Sequence, residues 1–137
     1  MKADAEHALR IVYLDDSETQ LLGAHRALTA AGHTVSTALS ISQAGPLVES
    51  ADLVIVDFHM PDLDGAQALQ RLRRHVIAGD VVLFYLYTSD REVAVSFKSH
   101  GFDGAFTAKG DSDVLVSQVE AAGRMLKLKR FRQQRER

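Results

Sequence analysis

The chain has 137 residues, 46% of them hydrophobic, 25% charged and only 2 proline, which suits one packed domain and is too short for two of ordinary size. With no cysteine, disulfides and thiolate metal sites are excluded; MKADAEHALR carries charges where a signal peptide is apolar, and no apolar run approaches a membrane span, so a cytoplasmic protein is expected. The net charge of −2 is uneven: from Arg124 to Arg137 seven Lys or Arg face one Glu, a net +6, leaving −8 for residues 1–123.

In chain order, RIVYL (Arg10 to Leu14) predicts a first strand, followed by the acid pair Asp15 and Asp16. A helix is expected to start at Ser17, where Ser17 and Gln20 have capping-box spacing. Leu21, Leu22, Ala24, Leu28 and Ala31 continue it at helical spacing, and Gly32 stops it. Thr34 to Ala38 reads as a second strand, and Ser40 to Ser50 as a weaker helix interrupted at Gly45-Pro46. DLVIVD (Asp52 to Asp57) barely alternates, as expected of a strand covered on both faces.

A third helix is predicted from about Gly65 to Ile77, and a fourth apolar strand over Val81 to Tyr87 ends at Thr88. A fourth helix is expected over Asp90 to His100. Gly104 to Ala108 then forms a fifth strand ending at Lys109, and a last helix begins near Ser112 with Leu115, Val119, Ala122 and Leu126 on one stripe. This strict alternation predicts an α/β fold with a five-stranded parallel sheet, doubly wound, with helices on both faces.

Ligand sites of such sheets lie beyond the carboxyl ends of the strands. Those ends here carry Asp15 with Asp16, Asp57, Thr88 and Lys109. Taken alone, Asp57 has a plainer reading as a strand terminator that bonds to nearby backbone. Three carboxylates in one crevice repel by about 4 kcal/mol per pair at 4 Å and an effective dielectric near 20, so something positive must sit among them. Oxygen donors without thiolates favour Mg²⁺, and no EF-hand loop supports calcium. A cation, a lysine and a hydroxyl around one carboxylate are the parts of a phosphoryl transfer in which Asp57 is the nucleophile. No Walker or glycine-rich phosphate loop points to nucleotide binding.

Asp15-Asp16, Asp57 with its MPDLDG turn at 60–65, Thr88, Phe106 and Lys109, in this order and at strand ends, resemble a response-regulator receiver domain of the chemotaxis-regulator type. The resemblance covers about residues 8–123, leaving 124–137 as a basic helical extension or linker stub. It implies a flavodoxin-like sheet of order 2-1-3-4-5 with five helices. It also implies a two-component signalling role: Asp57 takes a phosphoryl group from a phosphohistidine of a sensor histidine kinase or phosphotransfer protein. By the same resemblance Asp15, Asp16, Asp57 and the carbonyl of His59 bind Mg²⁺, and Lys109 pairs with the phosphoryl group. Thr88 moves to it, and Phe106 turns inward into the vacated space. The output is altered partner binding through the face of helix four, strand five and helix five, so the domain is a phosphoacceptor switch rather than an ordinary enzyme.

Some features depart from that pattern or keep plainer readings. Phe106 lacks the hydroxyl of the tyrosine often found there, and it also reads as an ordinary buried residue. Gly110 follows Lys109 where proline is usual, and Ser89 replaces an alanine. Tyr85 and Tyr87 add aromatic bulk to strand four. His59 and Asp90 occupy positions whose side chains tune access of hydrolytic water in the family. Asp62 and Asp64 read as loop and helix-cap acids. The tail reads as a solvated helix or linker stub, with nucleic-acid contact the lesser reading, and homodimerisation is left open. The rival to the switch is a phosphate-independent receiver-like interaction module.

Overall fold

The structure is a computed structural model; it describes residues 7–60 and 63–136, with only the backbone at Leu63 and Asp64. Strands β1 (Arg10–Leu14), β2 (Thr34–Ala38), β3 (Leu53–Asp57), β4 (Leu83–Tyr87) and β5 (Gly104–Phe106) form one parallel sheet in the order β2-β1-β3-β4-β5. Helices α1 (Glu18–Ala30), α2 (Ile41–Val48), α3 (Gly65–Arg73), α4 (Arg91–Val95) and α5 (Ser112–Arg135) connect and flank them. The expected doubly wound, flavodoxin-like α/β architecture with five helices is what the chain forms.

Strand period two divides the core into two halves. Ile11 and Tyr13 of β1, Leu53 and Ile55 of β3, and Leu83 and Tyr87 of β4 pack on α1 and α5, through Leu21, Leu28, Leu115, Val119 and Leu126. The alternate residues Val12, Leu14, Val54, Val56, Phe84 and Leu86 pack on α2 and α3, through Val48, Leu69 and Leu72. Burying each Val, Leu, Ile or Phe stabilises by about 1.5–3 kcal/mol. β3, buried along its whole length, is therefore a rigid mount for the acid at its end.

Several boundaries differ from those expected, for local reasons. α2 runs through Gly45-Pro46 without interruption, because glycine offers no Cβ to clash with the proline ring and the helix ends two residues later. α3 stops at Arg73 rather than Ile77, where His75 N–H bonds back to Leu72 O and Val76 N–H to Arg73 O, tightening the chain into a turn. The fourth helix is one short α segment followed by a 3₁₀ turn over Phe97–His100. Ser96 Oγ donates to Glu92 O at 2.8 Å, the back-bonding by which serine competes with helix continuation.

β4 begins at Leu83, not Val81. β5 ends at Phe106, not Ala108, because Thr107 N–H donates to Gln118 Oε1 of α5 at 2.9 Å. A two-rung antiparallel ribbon pairs His59 with Asp64 and Met60 with Leu63, which the sequence reading did not anticipate. Asp62 lies outside the described residues, as does the side chain of Asp64.

Gly65 and Gly104 are among the glycines that permit close approaches. A Cβ on Gly65 would lie 2.8 Å from Phe58 Cα, and one on Gly104 would lie 2.5 Å from the Tyr85 ring. The far part of α5 folds back on the amino ends of the strands: Arg130 donates to Asp52 Oδ1 at 2.8 Å and to Val81 O at 3.1 Å, and Gln133 donates to Gly79 O at 2.8 Å. Burial works against ionisation of Asp52, but the Arg10 N–H and the Arg130 guanidinium outweigh it and hold its carboxyl below the ordinary range. Among the described residues, no helix is long and apolar enough to cross a membrane.

Candidate functional site

The crevice beyond the carboxyl ends of β1, β3 and β5 brings together the acids and the lysine singled out in the sequence. Asp15, directly after β1, is fully buried, and Asp57, the last residue of β3, is nearly so. Asp16 is exposed at the mouth. One carboxylate oxygen from each of the three lies within 4.8 Å of the others. Lys109 reaches in from the loop after β5, its Nζ 2.8 Å from Asp57 Oδ1 and 2.9 Å from Asp15 Oδ2.

The two buried acids are also held by groups within two residues of them in the chain. Asp15 Oδ1 accepts from Ser17 N–H at 2.9 Å and Oδ2 from the Tyr13 hydroxyl at 2.5 Å. Asp57 Oδ1 accepts from His59 N–H at 3.2 Å. Burial pushes the Asp57 carboxyl above its ordinary range and repulsion from Asp15 adds to this, while Lys109 and the His59 N–H pull it back. Lys109 is shifted up: burial opposes its charge, but hydrogen bonds and attraction from two carboxylates more than compensate. Both directions coexist because the lysine has two attractive neighbours, whereas Asp57 has one attractive and one repulsive.

Thr88 is buried; its N–H donates to Phe106 O at 3.1 Å, and its Oγ1 accepts from Asp90 N–H at 3.0 Å. Its hydroxyl oxygen is thus engaged at the start of α4 rather than on Asp57. Asp90 Oδ1 in turn caps α4, accepting from Glu92 N–H at 3.0 Å and Val93 N–H at 3.3 Å. Phe106 is 1% exposed and lies against Tyr85 with ring centroids 4.5 Å apart, so in this conformation its ring is already inside. The exposed His59 stacks its ring edge-to-face on Phe58 at 5.1 Å.

Sequence reasoning missed Tyr13, and it noted Tyr87 and Ser89 without assigning them a role. Gly110 N–H donates to the Tyr87 hydroxyl at 3.2 Å and Lys109 N–H to Ser89 Oγ at 3.1 Å. A signal was present: Tyr13 stands two residues before Asp15, on the same sheet face by the period of the strand. The donor set is hard oxygen only, which is what a small divalent cation such as Mg²⁺ requires, and the Lys109 ammonium shares two of those carboxylates.

A doubly wound sheet with acids beyond its first and third strands and a lysine beyond its fifth defines the receiver class of α/β module. The match to the response regulator receiver domain spans residues 11–120, and the chain belongs to that family. Among curated relatives, the nitrate/nitrite response regulator protein NarL of Escherichia coli K12 is 27% identical over 122 residues, covering 85% of this chain and 56% of NarL. This chain thus spans little more than half the length of that relative. Protein PilH of Pseudomonas aeruginosa is 29% identical over 115 residues, covering 82% of this chain and 95% of PilH.

The fold is shared with chemotaxis response regulator CheY4 of Vibrio cholerae, at TM-score 0.69 and 18% identity over 83% of this chain and 98% of that one. It is shared too with the signal receiver domain of an HD domain-containing protein from Pseudomonas fluorescens Pf-5, at TM-score 0.73 and 23% identity over 95% and 97%.

Proposed function

We propose that this receiver is a phosphorylation-controlled switch in a two-component pathway, acting in the cytoplasm, with residues 8–123 as the switching domain and 124–137 as a helical extension. The observation that carries the proposal is the ammonium of Lys109 held between Asp57 and Asp15, 2.8 and 2.9 Å away. That arrangement keeps a nucleophilic carboxylate buried beside a cation.

In the proposed reaction an oxygen of Asp57 attacks the phosphorus of a phosphohistidine on a sensor kinase or phosphotransfer protein. A P–O bond forms, the donor's P–N bond breaks, and its electron pair returns to the imidazole. Asp15, Asp16, Asp57 and the carbonyl of His59 would hold Mg²⁺, which supplies charge neutralisation for the phosphoryl oxygens. Lys109 follows the transferred charge, exchanging part of its contact with Asp57 for a phosphoryl oxygen. Water later cleaves the acyl phosphate, so the chemistry is confined to the domain's own phosphoryl group. The phosphoryl group carries about −1.5 to −2 charges in place of the single carboxylate charge it replaces and projects them further from β3; this draws the Thr88 hydroxyl from Asp90 N–H and biases the face of α4, β5 and α5 toward an output partner.

The experiment is an amide chemical-shift titration with beryllofluoride and Mg²⁺. Shifts at Thr88, Phe106 and along α4 that are absent in Asp57→Asn support the switch; shifts confined to the acid pocket count against signal transmission. The phosphate-independent reading has one observation in its favour, the burial of Phe106 while Thr88 remains bonded to Asp90. Under that reading the α4 shifts do not occur even when the pocket is occupied.

A further inference from the structure

Lys109 is useful only where the loop after β5 puts it. Ala108 at φ +53° and Gly110 at φ +99° both occupy left-handed backbone, and Asp111 N–H to Ala108 O at 2.9 Å closes the turn. Two further backbone donors flank the lysine side chain, and both end on residues of the β4 terminus: Lys109 N–H on Ser89 Oγ at 3.1 Å and Gly110 N–H on the Tyr87 hydroxyl at 3.2 Å.

Tyr87 is well placed to be the fixed end. It is 2% exposed, pairs in register with Asp57 on one side and Phe106 on the other, and packs edge-to-face on Tyr13 with centroids 5.8 Å apart. The same Tyr13 holds Asp15 through its hydroxyl. One aromatic pair beneath the pocket thus fixes both an acid and the loop that delivers its counter-ion. The Tyr87 bond exists only because residue 110 keeps an N–H, which a proline there would lack.

We infer that Tyr87 and Ser89 are positioning residues that clamp the loop after β5 and thereby set where the Lys109 ammonium sits. This rests on the role proposed above for Lys109. Because Ser89 directly follows Thr88, a displacement of Thr88 toward Asp57 is also carried through Ser89 Oγ to the Lys109 backbone. The lysine loop and the threonine loop then move as one unit.

The test uses the full chain as wild type, Tyr87→Phe and Ser89→Ala, each also in a Lys109→Met background, with urea unfolding to establish that every variant is folded. In Tyr87→Phe, hydrogen exchange at the Gly110 amide is expected to rise about two- to tenfold, the range commanded by one neutral hydrogen bond, with Val56 unchanged. In Ser89→Ala the same rise is expected at Lys109. Labelling of Asp57 by acetyl phosphate and Mg²⁺ is expected to slow by a similar factor in either variant, and the slowing is expected to disappear in the Lys109→Met background.

Unchanged exchange at both amides overturns the clamp, and so does equal slowing with and without Lys109. Should Tyr87→Phe not fold, Ser89→Ala alone decides. Absence of any labelling in the wild type refutes the phosphoacceptor reading instead, while the exchange data still report on the clamp.

Discussion

Replacing Lys109 with Met removes the cation between two buried carboxylates and leaves a side chain of similar length. With Asp15 and Asp57 oxygens no more than 4.8 Å apart, their repulsion at an effective dielectric near 20 is at least about 3.5 kcal/mol. Proton uptake sets a ceiling, since neutralising an ordinary carboxyl at pH 7 costs about 4 kcal/mol. Lys109 is 19% exposed in its side chain and Asp16 opens the site to solvent, so we expect a loss of about 2–3 kcal/mol, below the range for fully buried pairs. The assay is urea unfolding at pH 7 with chelator and with saturating Mg²⁺. The lysine occupies the same oxygens a metal would take, so Lys109→Met is expected to bind Mg²⁺ more tightly and to recover most of its loss when loaded. Destabilisation of equal size with and without Mg²⁺, or none in chelator, would refute the electrostatic reasoning.

Other outcomes follow from the same geometry. Tyr13→Phe leaves Asp15 without one of its donors and should cost about 1.5–3 kcal/mol, the range for a hydrogen bond to a charged group, read by urea unfolding in chelator. Because burial and Asp15 raise the Asp57 pKa in the folded state, this group's contribution is greatest below its unfolded pKa near 4 and is lost as pH rises through the higher folded value. Asp57→Asn should flatten that part of the stability profile, and an unchanged profile would reject the assignment. Gly65→Ala places a Cβ 2.8 Å from Phe58 Cα, a backbone atom that cannot move aside, so a loss of about 1–3 kcal/mol is expected from overpacking; thermal unfolding of that variant measures it.

How far the sequence disclosed the molecule depended on what each residue answers to. β1 and β3 were legible because uninterrupted apolar runs end in acids, and the parallel topology followed from alternation alone. Asp15, Asp57 and Lys109 meet where strand-end reasoning put them. The helix over 90–100 was overextended because Ser96 bonds back into its own turn, a choice that composition does not reveal. Tyr87 and Ser89 looked like mere bulk and mere smallness; their partners are backbone N–H groups about twenty positions away, and backbone donors leave no mark in a residue pattern. The inward Phe106 matches the plainer sequence reading of that position as an ordinary buried residue.

The most direct test of the central claim is intact mass of the full chain after incubation with acetyl phosphate and Mg²⁺, beside Asp57→Asn and a chelated control. The account predicts one labile phosphoryl group on the metal-loaded wild type and none on either control. Labelling that persists in Asp57→Asn, or that is indifferent to chelation, would contradict it.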